Sequence, residues 1–263
     1  MPALERPTTK PWRRPLRAVN RESAPFGYHV VVRVVRFFLP LLIRRSWRGQ
    51  ENIPTSGAAL VVSNHLSNFD TPVLGEFVIW SGRWPRFLGK SEIWRVPVLG
   101  SLARSARQIP VQRNTPDAQQ ALVHAHEALA EGDVVAMFPE GTITADPDGW
   151  PMTARFGAAR LALSHRIPVI PVAQTGTSAL LGQKKLEWRR LFSLRRRPIH
   201  TWAGPAIDLE RFRGEGEPSR ASLEAASIAI MDQLSAMVAQ LRGEAAPSDR
   251  FDMRAGRRVP QHR

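Results

Sequence analysis

From about residue 57 to residue 243 the chain alternates short β-rich runs with longer stretches of helical period. That alternation confines it to an α/β architecture, a sheet with helices on its faces. Candidate strands are AALVVS (58–63), RFLGK (86–90), RQIPVQ (107–112), DVVAMF (133–138), IPVIPVA (167–173) and IHTWAG (199–204). A helix is predicted over 116–131, with Thr115 as N-cap, Pro116 in the first helical position and Gly132 as the stop. A second is predicted over 219–242, where Leu223, Ile230, Leu234, Met237 and Leu241 fall on one stripe and Gly243 follows.

The ends read differently. Residues 1–25, rich in Arg and Pro, are expected to be a disordered basic arm, and residues 244–263 a disordered basic tail. Between arm and body lies FGYHVVVRVVRFFLPLLIRRSW, apolar but interrupted by Arg33, Arg36 and Pro40. A spanning helix needs about 20 mostly apolar residues, which this segment lacks. Residues 26–48 are therefore read as a helix resting in a membrane interface, or packed on the body with arginines at its margin.

Charge sharpens this division. Residues 1–48 carry 11 Lys/Arg against 2 acids, and KKLEWRRLFSLRRR (184–197) carries 7 against 1, although the whole chain is only +14. The body is thus near neutral, and its periphery suits an anionic surface. Nucleic-acid domains usually carry the basic face on the folded body, so lipid headgroups are the expected partner and nucleic acid is not. Trp188 and Phe192 give the second basic stretch a membrane-contacting character.

With no cysteine in the chain, disulfides, thiolate catalysis and cysteine metal sites are excluded. The GxSxG elbow, the GxxxxGK[ST] phosphate loop and a GxGxxG helix opening are absent too. His124 and His126 lack a third ligand, and no metal site is expected of them.

What remains is NHLSNFD, in which His65 and Asp70 stand just past a buried strand, where α/β folds place their sites. A neutral imidazole there can take a proton from an alcohol, with a carboxylate fixing its tautomer and stabilising the imidazolium. The same residues also suit a plain loop, with Asp70 or Thr71 capping a helix begun by Pro72. Glu140, in MFPEGTIT, and Arg113, in IPVQRN, stand past two further strands. A guanidinium there can grip a phosphate bidentately, although a lone arginine is more often a solvated charge.

NHLSNFD, IPVQR, FPEGT and IPVIPV, in this order and spacing, resemble the four sequence blocks of the glycerolipid acyltransferase family. The resemblance covers about residues 49–242 and implies a single acyltransferase domain over 49–243 with a mixed, mostly parallel sheet flanked by helices. It implies His65 as general base with Asp70 orienting and charging it. Arg113 would hold the acceptor phosphate with Lys90 as a second contact, Glu140, Gly141 and Thr142 would shape the acceptor site, and Pro171 would mark the acyl-donor region. The implied reaction carries a fatty acyl chain from acyl-CoA or acyl-carrier protein to a lysophospholipid hydroxyl, 1-acyl-sn-glycerol-3-phosphate foremost. No resident cofactor is implied, and the cytoplasmic face of the cell membrane is the expected location. Many members follow EGT with Arg or Ser, where this chain has Ile143 and Thr144, so a different lipid or alcohol acceptor stays open. A non-catalytic binder of anionic lipid or nucleic acid is the alternative of another class.

Overall fold

The computed structural model describes residues 11–111, 118–182 and 196–261. Seven strands build one sheet: β1 (Ile43–Arg48), β2 (Ala59–Ser63), β3 (Pro85–Lys90), β4 (Ile109–Val111), β5 (Val134–Met137), β6 (Val169–Thr175) and β7 (Arg197–Ala203). Their spatial order is β1-β7-β6-β2-β5-β3-β4. Only the β6–β7 pair is antiparallel. The expected α/β fold, with a mixed and mostly parallel sheet, is the fold observed.

Every residue of β2 is buried, and its alternation divides the core. Leu60 and Val62 face a cluster with α5 (Ala118–Ala130), α6 (Gly157–Ser164) and α8 (Arg220–Arg242). Ala59 and Val61 face the opposite cluster, with Tyr28 of α2 (Phe26–Leu42) and Leu74, Phe77 and Val78 of α3 (Asp70–Trp80). Two short helices, α1 (Leu16–Val19) and α7 (Ser178–Leu181), and α4 (Pro97–Ser105) complete the set among the described residues.

α8 follows the sequence reading closely. Ser219 Oγ accepts the Ser222 N–H at 3.1 Å, and Gly243 ends the helix in the left-handed conformation. Gly132 likewise takes a positive φ after α5, whereas the expected cap at Thr115 and Pro116 lies outside the described residues.

Three expectations about the ends require correction. Over its described residues, 11–25, the basic arm is ordered. Trp12 packs edge-on against Trp47 with centroids 5.0 Å apart, Asn20 is buried, and Glu22 pairs with the buried Arg83. Its few apolar groups and one acid thus dock it despite its overall charge.

The helix expected over 26–48 ends at Leu42, two residues beyond Pro40, and Ile43–Arg48 becomes the edge strand β1, with Ile43 and Trp47 turned inward. The packed reading holds for Tyr28, Val32 and Leu39, which are buried. Phe26, Val34, Phe37, Phe38 and Leu41 stay exposed, as do Val98 and Leu99 of α4, a helix packed against α2. No helix among the described residues is long and apolar enough to cross a membrane.

The tail, finally, forms the antiparallel hairpin β8 (Arg250–Asp252) and β9 (Arg257–Val259). Ion pairs to distant acids hold it, Arg250 to Asp232 and Arg258 to Asp146 and Asp148. The basic stretch 184–195, with Trp188 and Phe192, lies outside the described residues.

Candidate active site

The chain leaves the sheet at Ser63, the end of β2, and two reciprocal bonds fix the exit. Asn64 Nδ2 donates to Gln174 O at 3.0 Å, and the Gln174 N–H returns to Asn64 Oδ1 at 2.8 Å. His65 therefore follows a strand end whose next side chain, that of Asn64, is tied to the backbone of β6.

Asp70 is the first residue of α3, so its carboxylate folds back over the loop that leads into the helix. Its Oδ2 lies 2.8 Å from His65 Nδ1 and also accepts the N–H groups of Leu66 and Ser67. A fully buried carboxylate needs such donors to remain charged. Because Oδ2 accepts, Nδ1 carries the proton, and the lone pair of the neutral imidazole sits on Nε2. His65 keeps 7% exposure, and its ring stacks on Phe138 with centroids 4.0 Å apart and planes 12° apart. The pair expected from NHLSNFD is thus formed, and the helix-opening loop is the device that forms it.

Glu140 follows β5, and both of its oxygens are spent on backbone. Oε1 accepts the His65 N–H at 2.9 Å and Oε2 the Met152 N–H at 3.1 Å. Burial pushes its carboxyl from the ordinary 4.5 to about 8, against the pull of those two donors and reinforced by the negative Asp70 nearby. In this structure Glu140 holds the histidine backbone instead of facing a ligand directly.

Gly141 adopts φ +72°, and a β-carbon there would sit 2.8 Å from Arg155 Cδ and 2.9 Å from its Nε. Only glycine lets Arg155 lie across this turn. Arg155 and Gly141 line a cavity of about 220 Å³ with Leu88, Val111, Leu122 and Phe138. The wall shared with the site is the ring stacked on His65. Sequence reasoning missed Arg155, whose one signal is that it opens the segment RFGAAR after the EGT turn.

Lys90 ends β3 exposed beside Val111, and Thr142 is half-buried after Gly141. Arg113 lies outside the described residues. Pro171 is buried in β6 opposite Val62, near Gly204, and lines neither described cavity. Thr144 turns inward, its hydroxyl donating to Trp150 O at 2.6 Å, while Ile143 is half-buried.

A second cavity, about 330 Å³ and almost wholly apolar, opens among α2, α3 and α4, with Thr71, Pro72 and Gly75 on its wall. At its edge Glu76 takes a bidentate grip from Arg45 at 2.6 and 2.7 Å.

Elsewhere, His124 meets Glu127 and His126 meets His165. Among the described residues no group of three His, Asp or Glu is gathered to hold a metal ion.

Comparison with known proteins bears on this arrangement. The sequence model described as Acyltransferase matches residues 44–175, from β1 to the end of β6. The 1-acyl-sn-glycerol-3-phosphate acyltransferase BAT2, chloroplastic, of Brassica napus is 32% identical over 136 residues, 51% of this chain and 38% of that one. A 1-acyl-sn-glycerol-3-phosphate acyltransferase of Limnanthes alba is 31% identical over 160 residues, 59% of this chain and 52% of that one. The chain therefore spans about half or less of the length of these relatives. The crystal structure of the 1-acyl-sn-glycerophosphate (LPA) acyltransferase PlsC from Thermotoga maritima superposes with a TM-score of 0.61 at 22% identity, covering 84% of this chain and 83% of that one. That likeness is one of fold. With half of its length matched by the family's own sequence model, and the His65–Asp70 pair inside that half, the chain belongs to the acyltransferase family.

Proposed function

We propose that the protein transfers a fatty acyl chain from acyl-CoA or acyl-carrier protein to the free hydroxyl of 1-acyl-sn-glycerol-3-phosphate, giving phosphatidic acid for phospholipid synthesis. The observation that carries this reading is the geometry of His65: Nδ1 engaged by a buried carboxylate, Nε2 left as the base, and no cysteine in the chain. A base so arranged acts on a hydroxyl that arrives with the substrate.

In the derived mechanism Nε2 takes the proton as the hydroxyl oxygen attacks the thioester carbon. Asp70 stabilises the imidazolium formed. The tetrahedral intermediate then collapses, the C–S bond breaks, and the imidazolium returns its proton to the departing thiolate. The products are an ester and a free thiol, and acyl-CoA or carrier protein serves as co-substrate with no resident cofactor.

The surroundings support this chemistry. The apolar cavity beside Thr71 suits a hydrocarbon chain, and the cavity under Arg155 suits an anionic amphiphile, with Lys90 nearby as a second positive charge. The apolar face of Phe37, Phe38 and Leu41, flanked by Arg33 and Arg36, suits peripheral association with an anionic lipid surface at the cytoplasmic face of the cell membrane.

Ile143 favours a second reading, an acceptor lacking phosphate, because this position adds no charge. Free-thiol release and product mass, measured over a panel of acceptors, separate the two. Turnover that requires the acceptor phosphate supports the first reading, and equal turnover without it supports the second.

A further inference from the structure

The tail hairpin is bound to the loop that holds His65, and this suggests a role beyond stability. Two bonds fix the backbone of His65 from the 140–152 segment: its N–H donates to Glu140 Oε1 at 2.9 Å, and its carbonyl accepts the Thr144 N–H at 2.8 Å. Thr144 is in turn fixed by Asp146, whose N–H donates to Thr144 Oγ1 at 3.2 Å. Asp146 Oδ1 closes the turn by accepting the Asp148 N–H at 2.9 Å.

That turn depends on a carboxylate only 1% exposed, and a buried carboxylate needs a cation. Arg258 of β9 supplies it. Its Nε donates to Asp146 Oδ2 at 2.7 Å, and its Nη2 to Asp146 Oδ1 at 2.9 Å and to Asp148 Oδ2 at 2.7 Å. β8 reaches the same segment farther on, where the Thr153 N–H donates to Phe251 O at 3.0 Å and the Thr153 hydroxyl to Asp252 Oδ2 at 3.1 Å. The neighbouring Met152 N–H holds Glu140. Arg250 secures the hairpin to Asp232 of α8, and Arg242 at the end of α8 donates to the carbonyls of Asp148 and Gly149.

Both partners of the His65 backbone, the Glu140 carboxyl and the Thr144 N–H, therefore lead within a few bonds to one hairpin beyond the region matched by the family. We propose that this hairpin is a clasp that sets the catalytic position of His65, with Arg258 as its positioning residue. The inference rests on His65 being the base. It concerns placement of the imidazole relative to the reacting hydroxyl, so it acts on turnover more than on substrate binding.

The test compares wild type, R258A, R258K, T153V and R254A in steady-state acyl transfer, with amide hydrogen exchange on the same proteins. Arg254 is exposed on the hairpin turn and serves as control. R258A is expected to lower kcat about tenfold or more, with KM for donor and acceptor within about twofold. R258K should recover part of the loss, since it restores charge without the two-pronged grip. Exchange should quicken at the His65 and Thr144 amides and stay unchanged within β2.

Should R258A not fold, R258K and T153V carry the same comparison with smaller losses. A lowered melting temperature with unchanged kcat per folded molecule would make the hairpin a structural brace and overturn the proposal. Unchanged exchange at His65 and Thr144 would overturn it as well. If the wild type shows no His65-dependent turnover, the base assignment itself fails, and the catalytic role of the clasp falls with it.

Discussion

Glu140 receives the backbone N–H of His65 on one carboxylate oxygen at 2.9 Å, while its other oxygen holds Met152. A fully buried carboxyl raised to about 8 has a consequence for stability. Between about pH 4.5 and 8 the folded state keeps a proton that the unfolded state has lost, so this group makes stability fall as pH rises across that window. Below it the burial cost is absent, and above it the full cost is present. Urea melts at pH 5, 6.5 and 8 should show this fall, with a slope from this group of up to about 1.4 kcal/mol per pH unit, and Glu140→Gln should remove it. The amide should also cost stability at low pH, because its NH₂ must face one of two backbone N–H donors.

Asp70 presents a single oxygen to His65 Nδ1, Leu66 N–H and Ser67 N–H, while Oδ1 is buried with no hydrogen-bond partner among the described residues. Asparagine can copy this with its carbonyl toward the donors, its NH₂ then buried at the unpartnered Oδ1 position at a cost of about 1–3 kcal/mol. Asp70→Asn is therefore expected to fold and to keep the imidazole tautomer, yet lose about a hundredfold in kcat with the missing charge. Asp70→Ala strips the acceptor from three donors and should lower the melting temperature as well.

Arg45 and Glu76 form a pair buried on both sides. Arg45→Met alone leaves a buried charge and should cost about 3–5 kcal/mol in urea unfolding, whereas Arg45→Met with Glu76→Leu should recover most of that. Equal losses in the single and double variants would contradict this reading.

Arg155 lies across Gly141 and lines a mostly apolar cavity. Arg155→Ala should raise KM for a phosphorylated acceptor about tenfold and leave a neutral acceptor unaffected, the loss expected for one charge-assisted contact. Gly141→Ala should have the same effect together with a loss of stability, because alanine is strained in the left-handed backbone that Gly141 adopts and its methyl would displace Arg155.

Six of the seven strands of the sheet were visible in the sequence: β2, β5 and β6 up to Gln174 are buried throughout, and the only partly buried β3, β4 and β7 still read as short β-rich runs. β1 was hidden because Ile43–Arg48 continues an apolar helical pattern, and only pairing with β7 across more than 150 residues makes it a strand. The tail hairpin was hidden for a related reason. Its composition suits disorder, and the acid that holds Arg258 lies 112 residues away. At the site, His65 and Asp70 were legible because they sit within one loop. The inward turn of Glu140 was not, since its partners His65 and Met152 are brought to it by the fold, and Arg155 carries no motif at the EGT turn it crosses.

The most direct test of the central claim is acceptor-dependent thiol release from acyl-CoA, with phosphatidic acid identified by mass, comparing the wild type with His65→Ala. Turnover on 1-acyl-sn-glycerol-3-phosphate that falls at least about a hundredfold in a folded His65→Ala protein is the predicted result. Turnover unchanged in that variant would contradict the account.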